Sequence, residues 1–303
     1  MRRYLTGLIS LCFVLIGVVP IFSGCQTNYP DSALFVGKGE KYETIQSAID
    51  ASSKSGQYIV VKSGSYKENL FISKTVKIVG KSNSVTLNGS AAIAADGVYF
   101  EKIAFSGKDI DAKNGIVISP DKDVTGLNIF HCSFKNYSEC GLLSLANEES
   151  PNKFNALTIQ ETSFVSNKLA GIKMNNIKSF VVESCNFKKN GSDAPEDAIG
   201  CAISLDLIEG KYSSVEVHST DFKQNGNKNS RSAAFSCSHK NNSFDGEIVF
   251  DDCLFEGNSY DVISGIENQP NTSIDICVIN ARGLRTDVKK LDENKYKSLS
   301  HDK

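Results

Sequence analysis

The side chains in this sequence that could do chemistry are mostly carboxylates, joined by a few histidines. They fall into two sets. Asp193, Glu196, Asp197 and Asp206 form the densest acidic group, on segments that read as loops over 191–199 and 206–214. Two carboxyl groups held roughly 5–10 Å apart can serve as acid and base on a glycosidic bond. These four are therefore the candidate catalytic residues. The second set is Glu161, Glu183, His218 and Asp251, each standing at a two-residue break between short apolar runs. Stacked on successive turns of a repetitive chain, they would make a polar ridge. Such a ridge could bind sugar hydroxyls, or hold a hard cation such as calcium through its oxygens. Both sets also have an ordinary reading as solvated surface.

The thiols point away from chemistry. There are nine cysteines, and Cys12 and Cys25 lie in or next to the apolar N-terminus. Cys132, Cys185 and Cys253 occupy one repeat position, with Thr162 and Thr220 on the turns between. Adjacent turns of a stacked sheet lie about 4.8 Å apart, so alternate ones lie about 9.6 Å apart. That exceeds the roughly 7 Å Cα limit for a disulfide, so these thiols should be free core fillers. Cys140, Cys201, Cys237 and Cys277 show no CxxC or Cys/His spacing, and no metal site or cofactor is expected from them.

The elements that must position these groups are repeats. In Phe180–Phe187, apolar or small side chains fall at Phe180, Val182, Cys185 and Phe187, a spacing of two, three and two. Two short strands of period 2, joined at the corner Glu183-Ser184, give this pattern. The figure recurs at Val98/Phe100/Ile103/Phe105, Leu127/Ile129/Cys132/Phe134 and Leu157/Ile159/Thr162/Phe164. It returns at Val215/Val217/Thr220/Phe222 and Ile248/Phe250/Cys253/Phe255, with a weaker copy at Ile274/Ile276/Ile279/Ala281. The phenylalanines stand at 105, 134, 164, 187, 222 and 255, so a turn takes 23 to 35 residues, which suits a solenoid. A third short strand fits between copies, as at Gly171–Met174, giving each turn three faces. Asn167, Asn190, Asn225 and Asn258 follow the phenylalanines by three residues. Their position suggests a turn that needs a left-handed residue, and amides that stack along the axis.

Composition agrees with an all-β chain. There is no Trp, and Pro is scarce among 303 residues. Tyr42–Ser53 is the one good helix, with Ile45, Ala48, Ile49 and Ser52 on a common face; it would cap the open end of the solenoid. Formal net charge is −2, and removing residues 1–24 deletes Arg2 and Arg3 but no acid, leaving −4. A nucleic-acid partner is not expected from such a chain.

The first 24 residues read as a secretory signal, with Arg2 and Arg3 followed by a mostly apolar Leu5–Phe22. The ending Phe22-Ser23-Gly24-Cys25 resembles a bacterial lipobox. That resemblance implies cleavage before Cys25, lipidation of Cys25 and a membrane-anchored, extracytoplasmic protein. Gln26 in place of Asp leans towards an outer membrane or cell surface. Residues 25–40 would then be a tether and leading strand, 41–282 the solenoid, and 283–303 a charged tail with a short helix near Val288 and Leu291.

A second resemblance covers the first quarter of the mature chain. The run Thr44, Ile45, Gln46, Ala48, Ile49, then Gly64, Tyr66, Lys67, Glu68, then Ile72, Lys74, Ile78 and Gly80, resembles the opening of pectin-lyase-like right-handed parallel β-helices. Pectin esterases open similarly. The resemblance implies a right-handed parallel β-helix with a capping helix. It does not bring a catalytic set. Of the polygalacturonase motifs only an Asp-Asp, Asp251-Asp252, is present. Pectin esterases carry a Trp that is absent here. Pectate lyases use an Arg base, and the mature chain has only Arg231, Arg282 and Arg285. The expectation is a monomeric, lipid-anchored scaffold that binds polysaccharide or another surface partner without catalysis. The alternative is a polysaccharide lyase, hydrolase or epimerase with an unrecognised site.

Overall fold

The structure, a computed structural model, describes residues 29–108, 110–118, 124–144, 154–175, 177–207, 211–228, 232–239, 245–266, 276–284 and 290–291. The signal segment, Cys25, Arg231, Arg285 and Val288 lie outside these residues. Three parallel sheets wrap one core as a right-handed parallel β-helix: a long sheet of 11 strands and two sheets of 8. Each coil from Gln57 to Ile266 contributes one strand to each sheet in turn, and the long sheet gains further strands at both ends.

The two-three-two spacing dictates this arrangement. Phe180 and Val182 point inward from the strand Ile177–Glu183 of the long sheet, and both are fully buried. The corner follows, and Ser184 adopts φ 53°. A left-handed residue turns the chain sharply, so Cys185 and Phe187 also point inward, from the second sheet. The same position is left-handed at Lys102, His131, Glu161, Ser219 and Asp252.

Parallel register then stacks like on like. Phe105, Phe134, Phe164, Phe187, Phe222 and Phe255 pair strand to strand. Their rings stack in one column at centroid distances from 4.5 to 5.2 Å. Each stack adds about 0.5–1.5 kcal/mol beyond area burial.

The asparagines form a second column. Asn190 Nδ2 donates to Asn225 Oδ1 (3.1 Å) and to the Phe164 carbonyl (2.8 Å), and its backbone N–H donates to the same Asn225 Oδ1 (2.9 Å). Asn167, Asn225 and Asn258 repeat the bond to a strand carbonyl. Their expected left-handed geometry is displaced by one residue. Positive φ falls at Asn136, Ser166, Lys189, Gln224 and Gly257, two residues after each column Phe from Phe134 onward. The amide that follows is thereby swung into the core.

Cys132, Cys140, Cys185, Cys201, Cys237 and Cys253 are free and buried. Threonine alternates with them for a reason beyond size. Thr162 Oγ and Thr220 Oγ accept the backbone N–H of Cys132 and Cys185, at 3.2 and 3.3 Å.

The helix spans Ile45–Ala51, capped by the Thr44 hydroxyl, with Ile45, Ala48 and Ile49 buried. Leu34–Val36 opens the long sheet. Two expectations at the far end change. The weak seventh copy is shifted by two, because Val278 pairs with Phe250 and Ile279 with Asp251. Leu291, expected in a short helix, instead lies in the strand Lys290–Leu291, which extends the long sheet. No helix among the described residues is long and apolar enough to cross a membrane.

Candidate functional site

The outer face of the long sheet gathers the largest set of functional side chains. Nearest the corner, Glu101, Phe130, Gln160, Glu183, His218 and Asp251 stand in register on successive strands. The neighbouring outward row carries Lys77, Tyr99, Asn128, Thr158, Val181 and Glu216. Three of the four expected ridge residues, Glu183, His218 and Asp251, are therefore brought together.

Glu161 is not part of that row. It occupies the second, left-handed corner position (φ 47°), and Gln160 takes the ridge position instead. Glu161 binds His131 from the preceding coil, Nε2 to Oε2 at 2.8 Å. The corner pairs Gln160-Glu161, Glu183-Ser184 and His218-Ser219 already hold this assignment: their first members align.

The ridge is knitted together along the axis. Gln160 Nε2 donates to Glu183 Oε2 at 2.5 Å. His218 is flanked on both ring nitrogens, by Glu216 Oε2 at 3.4 Å and by Asp251 Oδ2 at 3.9 Å. The Ser214 hydroxyl donates to Glu216 Oε1 at 3.0 Å.

Towards the N-terminal coils the face becomes aromatic, which sequence reasoning missed. Tyr99 and Phe130 stack at 5.2 Å and 27°. The Lys77 ammonium lies 5.0 Å from the Tyr58 ring centre, and Tyr29 lies 6.2 Å from Tyr58. The available signal was aromatic residues at outward strand positions, where solvent normally favours polar ones. Glu101 receives the Tyr99 hydroxyl (2.9 Å) and pairs with Lys102 (2.9 Å). Partial burial pushes the Glu101 carboxyl up, but these two hydrogen bonds outweigh it and leave it below its ordinary value. Burial and the same carboxylate push the Tyr99 phenol well up, so it remains a hydroxyl donor.

The loop acids do not form one group. Asp206, expected in a loop, lies on the strand Cys201–Leu207 of the third sheet, paired with Asn175 and Ser238. The Ser238 hydroxyl donates to its carboxylate. Asp193, Glu196 and Asp197 are exposed on the turn before that strand. Asn227 Nδ2 pins that turn through the carbonyls of Ala194, Pro195 and Ala198, at 3.3, 2.8 and 3.0 Å. Among the described residues, no three His, Cys, Asp or Glu side chains converge to hold a metal ion. Arg282 sits at the last coil, where its backbone bridges to Leu254.

The face therefore offers ring planes for the apolar faces of sugars, followed by alternating amide, carboxylate and imidazole groups at about the 4.8 Å strand spacing. Solved structures share the architecture. A pectin methylesterase in complex with a hexasaccharide matches with TM-score 0.61 and 12% identity, over 90% of this chain and 95% of that one. The pectin methylesterase PemA of Erwinia chrysanthemi matches with TM-score 0.60 and 13% identity, over 90% and 95%. That of Aspergillus niger gives 0.55 and 14%, over 88% and 91%. At such identity the likeness establishes the pectin-lyase-like parallel β-helix as the fold of this chain, and nothing of its activity. No family model matches the chain, and no curated protein is similar to it in sequence.

Proposed function

We propose that this protein is a carbohydrate-binding β-helix, held outside the cytoplasm by a lipid on Cys25, which lays a polysaccharide along the outer face of its long sheet without cleaving it. The observation that carries this reading is the continuous, in-register face running from Tyr99 and Phe130 to Gln160, Glu183, His218 and Asp251. A repeating ledge suits a repeating polymer. A neighbour of the same fold is solved with a hexasaccharide bound, which supports the choice of ligand class.

Affinity electrophoresis in gels cast with neutral and with acidic polysaccharides tests this. The wild-type chain is expected to be retarded by at least one of them, and Tyr99→Ala with Phe130→Ala to run free. Equal retardation of both proteins would place binding elsewhere. Replacing residues 1–25 by a cleavable secretory signal that has no lipobox should move the protein from the membrane to the soluble fraction.

A second reading, a polysaccharide lyase, hydrolase or epimerase, is favoured by one arrangement: His218 held between Glu216 and Asp251 with Glu183 beside it. New reducing or unsaturated ends that vanish in His218→Gln would replace the scaffold reading with this one. Loss of such products in Asp193→Ala or Asp197→Ala would do the same, and would move the site to the 191–199 turn.

A further inference from the structure

A cavity of about 500 Å³ opens away from the long sheet, at the edge where the second sheet turns into the third. Three successive coils line it: Lys67–Asn69, Asn88–Ser90 and Ile110–Ala112. Tyr137, in the next coil, stands where its neighbours carry the column asparagine, and its buried ring turns inwards beneath the third coil. A Cβ on Gly107 would lie 2.7 Å from Tyr137 Cδ1, and one on Gly115 would lie 2.9 Å from Tyr137 Cε2. The ring thus occupies the space between the two ends of the 107–115 connection. Its hydroxyl reaches past the third coil to donate to the Gly89 carbonyl at 2.7 Å. Ile110, Asp111 and Ala112, between those two ends, wall the cavity.

The lining divides into committed and uncommitted groups. Glu68 is committed, because its two oxygens accept the Ile45 and Gln46 N–H groups at 2.8 and 2.9 Å. Asn69 Oδ1 accepts the Ser90 N–H and hydroxyl at 3.0 and 3.2 Å, which fixes that amide. Asn88 Nδ2 donates to the Ser65 hydroxyl at 2.7 Å. Asn69 Nδ2 and Asn88 Oδ1 are left without partners among the described residues, and Lys67 and Asp111 are in no ion pair there. Two donors and two acceptors thus face one opening, with Ile110 and Ala112 as an apolar wall.

We propose that this cavity is a binding site for a small uncharged saccharide. Hydroxyl groups both donate and accept, and so can satisfy Lys67 and Asn69 as well as Asp111 and Asn88. The C–H face of a sugar ring matches the Ile110 and Ala112 wall. The volume is typical of small-molecule pockets, ~300–1,000 Å³. The site is separate from the long-sheet face and does not depend on a polymer binding there.

Saturation-transfer NMR and calorimetry with cellobiose, glucuronate and glucosamine test the assignment on the mature chain from Gln26 onward. Cellobiose is expected to bind most tightly, and Lys67→Met and Asp111→Asn each to weaken it about ten- to a hundredfold. Both residues are exposed and in no ion pair among the described residues, so both variants should fold. Ala112→Trp, which fills the opening, should abolish binding while leaving the circular dichroism unchanged. Tyr99→Ala with Phe130→Ala should leave it untouched, which separates this site from the long-sheet face. Absence of saccharide binding, undiminished binding in Ala112→Trp, or tighter binding of either charged sugar would overturn the proposal.

Discussion

Replacing Asn190 by alanine tests whether the asparagine column holds the coils together. In the wild type, the Asn190 side chain donates to the Phe164 carbonyl and to Asn225 Oδ1. It accepts from the Asn167 backbone at 3.3 Å and from Asn167 Nδ2 at 2.9 Å. The substitution removes all four bonds at a fully buried site. A net hydrogen bond is worth about 1 kcal/mol, and a buried group left unsatisfied costs about 1–3 kcal/mol. Asn167 Nδ2 keeps its bond to the Phe134 carbonyl, whereas the Asn167 N–H loses its acceptor. The expected loss is about 3–5 kcal/mol, read as a drop in the urea midpoint followed by circular dichroism. Lys188→Ala, exposed at the end of the strand that precedes Asn190, should stay within about 0.5 kcal/mol. A cycle with Asn225→Ala should show coupling of about 0.5–3 kcal/mol, because the two amides bond directly. A loss below about 1 kcal/mol for Asn190→Ala would refute the idea that the column carries stability.

Phe187→Ala removes a ring stacked at 4.9 Å on Phe164 and 5.2 Å on Phe222; it should cost about 3–5 kcal/mol, against under about 1.5 for Phe187→Leu if shape rather than stacking dominates. Burial pushes the thiols of Cys132 and Cys185 up to about 12, so neither should react with a thiol-exchange reagent at pH 8 until denaturant is added. Rapid labelling of the native chain at either position would contradict their place in the core. The Glu101 carboxyl is held below its ordinary value, as is that of Glu139, by the Asn114 amide and Lys113. A depressed folded value gives stability that is complete above the unfolded value of about 4.3 and lost as pH falls below it. The melting temperature should therefore hold from pH 7 to about 5 and fall below about 4, less steeply in Glu101→Gln.

The fold was legible because inward positions repeat. Phe, Val and Ile recur at fixed offsets, and burial tolerates little else at such positions. What failed did so where that constraint is weak. In the sequence Ile274–Ile279, apolar residues recur at every second position, Ile274, Ile276 and Val278, so period 2 does not choose between registers two residues apart, and the copy slipped by two. Asp206 continues the alternation begun by Ile203 and Leu205, yet the Glu-Gly-Lys that follows reads as a loop. At the turns, Asn136 does take the left-handed position, while the column asparagines stand one residue further on. A composition rule that fits both roles could not separate them. The ridge at Glu183, His218 and Asp251 was found because the corner marks its position. Tyr99 and Phe130 were missed because one aromatic residue on an outward strand position has no periodic signature. Only the register sets the two beside each other.

The corner between the long and second sheets has a further consequence. From Glu101 to Ala104, Phe130 to Ser133, Gln160 to Ser163, Glu183 to Asn186, His218 to Asp221 and Asp251 to Leu254, two residues always separate the strands. These six coils nevertheless differ in length, so every residue added among them goes to the other two edges, whereas the earlier corner from Gly80 to Val85 is wider. The 107–115 connection and the acid-bearing turn before Cys201 are both such additions. The molecule thus has one calibrated margin and two editable ones. Beside the calibrated margin, ligand contacts keep the pitch of the backbone and can be changed only by substitution. Along the editable margins, insertion and deletion can build or erase a pocket while the stacking of the coils stays as it is.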